Sequence, residues 1–452
     1  MVEFALPLDW QVEGAEFLAA RQHAFLADEP GCGKSCQAIR ACDLVGADNI
    51  LILVPASVRV NWLREFEKFS VYDREGVAIL DGKTAPAVKG LTVCSYDLLA
   101  NEKLRKSLQA RRWDVLILDE AHGLKTPRAK RTKWVYGRKS DSDTGLAAVS
   151  TRVWRLSGTP APNHVDELWT HLRSSSLFSG SYHDFISEFC TGFTSDFGFR
   201  ITGTKNAQRL RALLKPFMLR RKKVDVLPKL PILTIEHHTI EPAPVDHEVF
   251  FPNTLLTGTG ELHREVEAQN ALLRGLPKDS DDVIDRLRQL APSAGTLRKY
   301  IGLSKLPGYL AIIRPELRER RYDKLVIGAW HADVIEALQR ELREFNPVTM
   351  YGGTPADKRQ TRIDKFKSNR TCRVMICQVK VGIGFNATAA YTVDVLEPSW
   401  VPAENKQLID RCHRIGQDAP VTARFFGCGR SVDEDISKAL ANKARELAKV
   451  FE

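Results

Sequence analysis

No run of apolar residues in this 452-residue sequence is long enough to span a bilayer, and its first residues lack the basic-then-apolar pattern of a secretory signal. A membrane-embedded or exported protein is therefore not expected. The nine cysteines include no C-x-x-C pair, and their count is odd. That argues against a disulfide framework or a zinc site and for reduced, buried thiols. The sequence also holds no internal repeat, low-complexity tract or disordered tail. What remains is a globular protein, expected in the cytoplasm or at the nucleoid, or in the host cytoplasm if the source is a virus.

The chain is 43% hydrophobic and 27% charged, ordinary values for a globular protein. Its length exceeds what one core usually supports, so two domains of similar size are expected. A net charge of +10 and a pI of about 9.1 lean toward a polyanionic partner, although a soluble basic enzyme would share them.

Apolar strand-like runs alternate with amphipathic helix-like segments through the first half: ILILV from Ile50, LTVCS, DVLILD and VWRLSG. Between them, Val58, Trp62, Phe66 and Phe69 recur at helical spacing. The rhythm restarts in the second half with KLVIGAW, VTMY, RVMICQ and TVDVLE. Buried strands alternating with helices predict an α/β fold of two lobes, each a parallel sheet covered by helices. Residues 1–222 form the first expected lobe and 223–452 the second, with a helical insertion at about 242–315, where the strand rhythm lapses. The boundary falls in a stretch from Lys205 to Leu230 that holds nine basic residues against one acid, Asp225.

Seven motifs run in one order along the chain. LADEPGCGKS (Leu26 to Ser35) is a Gly-rich turn opening a helix, which is how backbone amides cradle a triphosphate. Gly31 and Gly33 allow close approach, Lys34 reaches the β- and γ-phosphates, and Ser35 can ligate magnesium. The strict G-x-x-x-x-G-K-[ST] pattern is not met, because Asp28 stands where its first glycine would be. LDEAH (Leu118 to His122) places Asp119 and Glu120 at the end of an apolar strand, where one carboxylate can hold magnesium and the next orient the attacking water. LSGTP (Leu156 to Pro160), PFMLRRKKVDVLP (Pro216 to Pro228), VIGAWH (Val326 to His331) and VGIGFNATAA (Val381 to Ala390) follow. The last, KQLIDRCHRIGQ (Lys406 to Gln417), sets Arg411 and Arg414 three apart, near one helical turn, so that both would project from one face toward a γ-phosphate.

This order resembles the Swi/Snf ATPase family of helicase superfamily two over nearly the whole chain. ELWTHL and LEPSWVP are most similar to the HARP-type annealing helicases within it. The resemblance implies two RecA-like lobes with ATP and magnesium at the cleft between them, and DNA-stimulated hydrolysis that drives movement on, or remodelling or annealing of, double-stranded or branched DNA. It implies that Gln11 reads the adenine base beside the loop residues Asp28, Gly31, Cys32, Gly33, Lys34 and Ser35. Lys34, Asp119, Glu120, Arg411 and Arg414 would be catalytic, with Ser35 and Asp119 on the metal. His122, Ser157, Thr159 and Gln407 would couple nucleotide state to lobe motion, and Ser57, Thr354, Lys380 and Trp400 would face the DNA backbone.

Pro30 and Cys32 replace a usual Met and Leu, and Lys380 stands where a small residue is usual, as a surface lysine or a phosphate contact. No flanking HARP module, zinc finger or chromatin reader is recognisable. In the basic run PRAKRTKWVYGRK (Pro127 to Lys139), Trp134 and Tyr136 either stack on nucleic acid or belong to an amphipathic helix. Two rivals stand beside the translocase: a strand-separating helicase on RNA or single-stranded DNA, and a nucleotide-gated DNA-binding protein without turnover.

Overall fold

The computed structural model describes residues 7–71, 76–137, 144–195, 198–243, 291–352, 354–381, 386–428 and 432–451. Two compact units emerge. The first comprises Met1–Thr191, Gly203–Lys229 and Glu446–Glu452, and the second Gly192–Thr202 and Leu230–Arg445. The chain leaves the first unit after Lys229, somewhat beyond the expected 222/223 boundary, because the RRKK stretch is bonded into the first unit's sheet edge.

The first unit is built on a seven-stranded parallel sheet in the order β3-β4-β2-β5-β6-β1-β9. Its strands are β1 (His23–Leu26), β2 (Asn49–Val54), β3 (Val77–Ile79), β4 (Gly90–Ser95), β5 (Trp113–Asp119), β6 (Ser150–Leu156) and β9 (Met218–Leu219). Apolar runs become inner strands here because both faces are covered: Ile50 to Val54 are fully buried, as are Val115 to Leu118. Helix α1 (Asp9–Ala19), α2 (Lys34–Leu44) and α3 (Arg59–Phe69) cover one face, and Leu18, Ile39, Trp62 and Phe66 pack there on Ile50, Ile52, Val115 and Ile117. A two-stranded sheet pairs β7 (Cys190–Ser195) with β8 (Gly198–Thr204).

The second unit holds a six-stranded parallel sheet in the order β10-β15-β14-β11-β13-β12. Its strands are β10 (Leu233–Ile240), β11 (Leu325–Ala329), β12 (Val348–Met350), β13 (Val374–Gln378), β14 (Thr392–Val395) and β15 (Val421–Cys428). Alternate residues of each inner strand serve opposite faces. Leu325, Ile327, Val374 and Ile376 enter one core and Val326, Met375 and Cys377 the other. Of the expected helical insertion, residues 244–290 lie outside the described residues. Helices Ala291–Ser304 and Leu306–Arg318 follow, and Tyr300, Tyr309, Ile313 and Leu317 bury them against the sheet.

Between those two helices lies Lys305, fully buried. Its Nζ donates to the Leu396 carbonyl, to Phe426 O at 2.9 Å and to Asp433 Oδ2 at 2.8 Å, so one ammonium closes the ends of β14 and β15 onto the helix that carries Asp433. Lys305→Met keeps the volume but removes the ammonium from the 6%-exposed Asp433. Breaking a buried pair this way costs about 3–5 kcal/mol. Urea unfolding of the two proteins should show that loss as a lower midpoint; equal midpoints would mean the cation contributes nothing net.

All nine cysteines are buried and free. Burial pushes the Cys94 and Cys377 thiols up to about 12. Among the described residues no helix is long and apolar enough to cross a membrane.

Candidate nucleotide site

Sheet register decides what meets at the first unit's working edge. Leu26 of β1, Asp119 of β5 and Leu156 of β6 lie in one row across the sheet, and Leu219 of β9 pairs with Leu26. Each is the last residue of its strand. The Gly-rich turn, the Asp119–Glu120 pair, the Ser157–Thr159 turn and the RRKK stretch therefore all leave the sheet at the same carboxyl edge, where open α/β sheets bind ligands.

The turn from Ala27 to Gly33 delivers the chain to α2, and Gly33 caps that helix in a left-handed conformation (φ 77°). Gly31 is also at positive φ (93°), a region that only glycine enters readily. The first amides of α2 have no helical acceptors, and the helix dipole points its positive end at the turn. Lys34, the first residue of α2, donates from Nζ to the carbonyls of Asp28 at 2.7 Å and Glu29 at 3.3 Å. Ser35 follows in the same turn of helix, half-buried. Gln11 reaches the turn from α1: its Nε2 donates to Cys32 O at 3.5 Å, and a Cβ on Gly33 would collide with it.

Two expected members of the nucleotide-binding set sit otherwise. Asp28 is fully buried, and its carboxylate is held by Arg221 and Gln37 rather than presented to a ligand. The Cys32 side chain is fully buried too, so that only its backbone is placed to meet a phosphate.

At the end of β5, Asp119 Oδ2 accepts from Trp62 Nε1 at 2.8 Å and Oδ1 from the Glu120 amide at 3.0 Å. Burial first, and then the charge of Glu120, push the Asp119 carboxyl up to about 6, while the Trp62 hydrogen bond and the Lys34 charge oppose the shift. A carboxylate so placed would be drawn back to its ionised form by a cation, which fits the magnesium role expected of it. Glu120 turns the chain sharply, with φ 48° and ψ 49°. Its Oε2 lies 3.2 Å from His122 Nδ1 and accepts from Ser157 Oγ at 3.5 Å. The His122 and Ser157 groups are 2.9 Å apart, and the Thr159 amide donates to Ser157 Oγ at 3.2 Å. Glu120, His122, Ser157 and Thr159 are thus one connected set. Among the described residues no cluster of three or more His, Cys, Asp or Glu could hold a metal by itself.

In the second unit, Arg411 and Arg414 do not share a helix face. Helix Pro402–Ile409 ends before them, and residues 410–416 form successive turns closed by Gly416 at φ 89°. Buried Gln417 holds these turns: its Nε2 donates to Ala390 O at 2.9 Å, Cys412 O at 3.1 Å and Thr388 O at 3.3 Å. His413 Nε2 donates to Pro231 O at 2.8 Å. Gln407 is buried within the helix.

The residues expected at DNA differ in exposure. Lys380 is exposed on a short helix, Val379–Val381, after β13. Thr354 is only 5% exposed, and its Oγ1 accepts from the Tyr351 amide at 3.2 Å, closing the turn after β12. The hydroxyl therefore organises that turn instead of facing outward. Trp400 is half-buried on the core, with Arg298 5.7 Å from its ring and 4.6 Å from that of Trp330. Ser57 lies on a short helix after β2, and its side chain is outside the described residues. Tyr136 in the basic run is half-buried: its hydroxyl is 2.9 Å from His171 Nδ1 and accepts from Arg155 Nε at 3.1 Å. Trp134 is half-buried, 5.1 Å from the Arg105 guanidinium.

Residues 10–286 match the SNF2-related domain, and residues 308–416 match the helicase conserved C-terminal domain. The chain belongs to the SNF2-related family. It is 27% identical over 451 residues to the Drosophila melanogaster SWI/SNF-related matrix-associated actin-dependent regulator of chromatin subfamily A-like protein 1, covering 98% of this chain and 56% of that one. The Caenorhabditis elegans homologue of that protein is 28% identical, over 98% of this chain and 61% of its own. The Mus musculus protein named DNA annealing helicase and endonuclease ZRANB3 is 27% identical, over 97% and 40% respectively. The chain thus spans about half the length of the curated relatives it matches. The Sulfolobus solfataricus SWI2/SNF2 ATPase core in complex with dsDNA aligns over 99% of this chain and 97% of its own, at 23% identity and a TM-score of 0.44.

Proposed function

We propose that this chain is an ATP-driven motor on double-stranded DNA, hydrolysing ATP at the carboxyl edge of the first unit's sheet and moving along or remodelling the duplex without processive strand separation. The observation that carries this reading is the single sheet row from which the Gly-rich turn, Asp119–Glu120 and Ser157–Thr159 all emerge. Membership of the SNF2-related family, and relatives named as chromatin regulators and DNA annealing helicases, support it.

In this reading the amides of the turn and Lys34 bind the triphosphate, and Gln11 borders the base. Magnesium held by Ser35 and Asp119 would neutralise charge on the β- and γ-phosphates. Glu120 orients the attacking water and takes its proton, and Arg411 and Arg414 stabilise charge spread over the transferred phosphoryl group. The contacts from Glu120 to His122 and Ser157 give the catalytic carboxylate a path to the neighbouring turn, which suits coupling of hydrolysis to movement. Exposed Lys380 is proposed to meet a DNA phosphate. Double-stranded or branched DNA is the partner within this reading.

The test is ATP turnover with duplex, forked and single-stranded DNA and with RNA. Stimulation by duplex or forked DNA is expected, with binding that is indifferent to sequence. Affinity should fall steeply with salt, because phosphate contacts release counterions: about 10³-fold or more between 50 and 200 mM if six or more phosphates are engaged. Stimulation by single strands or RNA alone would favour a strand-separating helicase, and duplex binding without phosphate release a nucleotide-gated binder.

A further inference from the structure

The Gly-rich turn lacks its first glycine, and another part of the chain holds it in shape. Four hydrogen bonds reach the buried Asp28 carboxylate: from Arg221 N at 3.0 Å, Nε at 3.1 Å and Nη2 at 2.6 Å, and from Gln37 Nε2 at 3.1 Å. The same guanidinium donates from Nη2 to Gln37 Oε1 at 2.8 Å and from Nη1 to Trp10 O at 2.6 Å, and it lies 3.2 Å from Glu13 Oε2. One planar group therefore fixes the turn to α2 through Gln37 and to α1 through Trp10 and Glu13. Helix α1 carries Gln11, which abuts Cys32 and Gly33.

Space for this joint comes from residue 14. A Cβ there would collide with Gln37 Oε1 and stand 2.9 Å from Arg221 Nη2. The preceding residue braces the other side: Arg220 Nη1 donates to Ala27 O and to Gly158 O, each at 3.1 Å, tying the turn to the Ser157–Thr159 segment. Both arginines arrive in register because β9 pairs with β1, Leu219 beside Leu26.

We propose that Arg221, with Asp28 and Gln37, is a positioning unit that sets the separation of the Gly-rich turn from α1 and thereby the affinity for ATP, without touching the nucleotide. This rests on the ATP reading above. The physical basis is the fork geometry of guanidinium, which fixes several acceptors at once where an ammonium cannot. The turn contains two glycines at positive φ, so its shape depends on bonds from outside it. A phosphate cradle works only if its amides are aimed before the ligand arrives.

The experiment compares wild type, Lys34→Ala, Arg221→Gln, Arg221→Lys, the double variant Asp28→Asn/Arg221→Gln, and Gly14→Ala. A fluorescent ATP analogue measures binding, steady-state turnover gives KM and kcat, and circular dichroism confirms folding at the assay temperature. Arg221→Gln is expected to raise Kd and KM about 10- to 100-fold, roughly the worth of one charge-assisted hydrogen bond between cradle and phosphate, while kcat at saturating ATP stays within a few-fold. Lysine should recover little. The double variant removes the uncompensated buried charge but not the loss of the fork, so it should recover little of the affinity. Gly14→Ala removes no charge and favours α1 as a helix, yet should show the same KM effect by displacing Gln37 and with it Arg221. If Arg221→Gln does not fold, Gly14→Ala alone decides.

A folded Arg221→Gln or Gly14→Ala protein with wild-type KM would overturn the proposal, and so would a loss confined to kcat. Should Lys34→Ala bind ATP normally, the ATP reading itself is wrong and the proposal falls with it. If Lys34→Ala loses binding while the Arg221 and Gly14 variants keep it, the positioning role alone fails.

Discussion

Glu120→Gln should bind ATP as wild type does while turnover falls about 10²- to 10⁴-fold, the contribution typical of a positioned general base. The amide keeps the size of the side chain and can still meet Ser157 and His122, so the fold and the connected set survive. What it cannot do is accept the proton of the attacking water. Ground-state binding depends on the turn, Lys34 and Gln11, none of which the substitution touches. Equilibrium binding of labelled ATP together with phosphate release, each with and without duplex DNA, separates the two effects. Loss of ATP binding in this variant would assign Glu120 to the architecture of the β5 end instead of the chemistry.

Arg414→Ala should lower DNA-stimulated turnover about 10³- to 10⁵-fold, the range observed when a guanidinium acting on the transferred phosphoryl group is removed. ATP affinity should change little, because the charge is needed mainly in the transition state. The stimulating effect of DNA should vanish along with turnover, since DNA acts in this reading by favouring the state in which Arg414 engages the phosphate. Phosphate-release assays across a DNA titration give the answer directly. Undiminished stimulation would remove Arg414 from the reaction, and an equal loss of ATP affinity would make it a binding group.

Legibility from the chain varied with how local the cause was. Strands β2, β5, β11 and β13 were readable because burial on both faces forces continuous apolar runs, such as Ile50 to Val54. Strand β9, two residues long, and the exposed edge strand β10 carry no such run, and β10 is recognisable only through its pairing with β15. The turn, lysine and carboxylates of the proposed nucleotide site are legible because each sits in a short stretch with fixed spacing. Their supports are not. Trp62 lies 57 residues from Asp119, and Arg221 lies 193 residues from Asp28, so neither pairing leaves a local pattern. Regular spacing also misled where the helix stops. Arg411 and Arg414 keep a helical interval, but Gly416 and Gln417 impose turns, and Thr354 was drawn inward by the turn it closes.

The backbone at Glu120 has a consequence for how this protein can change over generations. A side chain in the left-handed region costs about 1 kcal/mol or more relative to glycine, and here the residue that bears the strain also bears the carboxylate. The substitution that would relax the backbone most, glycine, deletes the carboxylate proposed to act on the attacking water. Drift toward greater stability at this position therefore leads out of function. Any lineage that has given up turnover, keeping only nucleotide-dependent binding, is free to take that step. The identity of residue 120 in relatives then serves as a record of whether hydrolysis is still under selection.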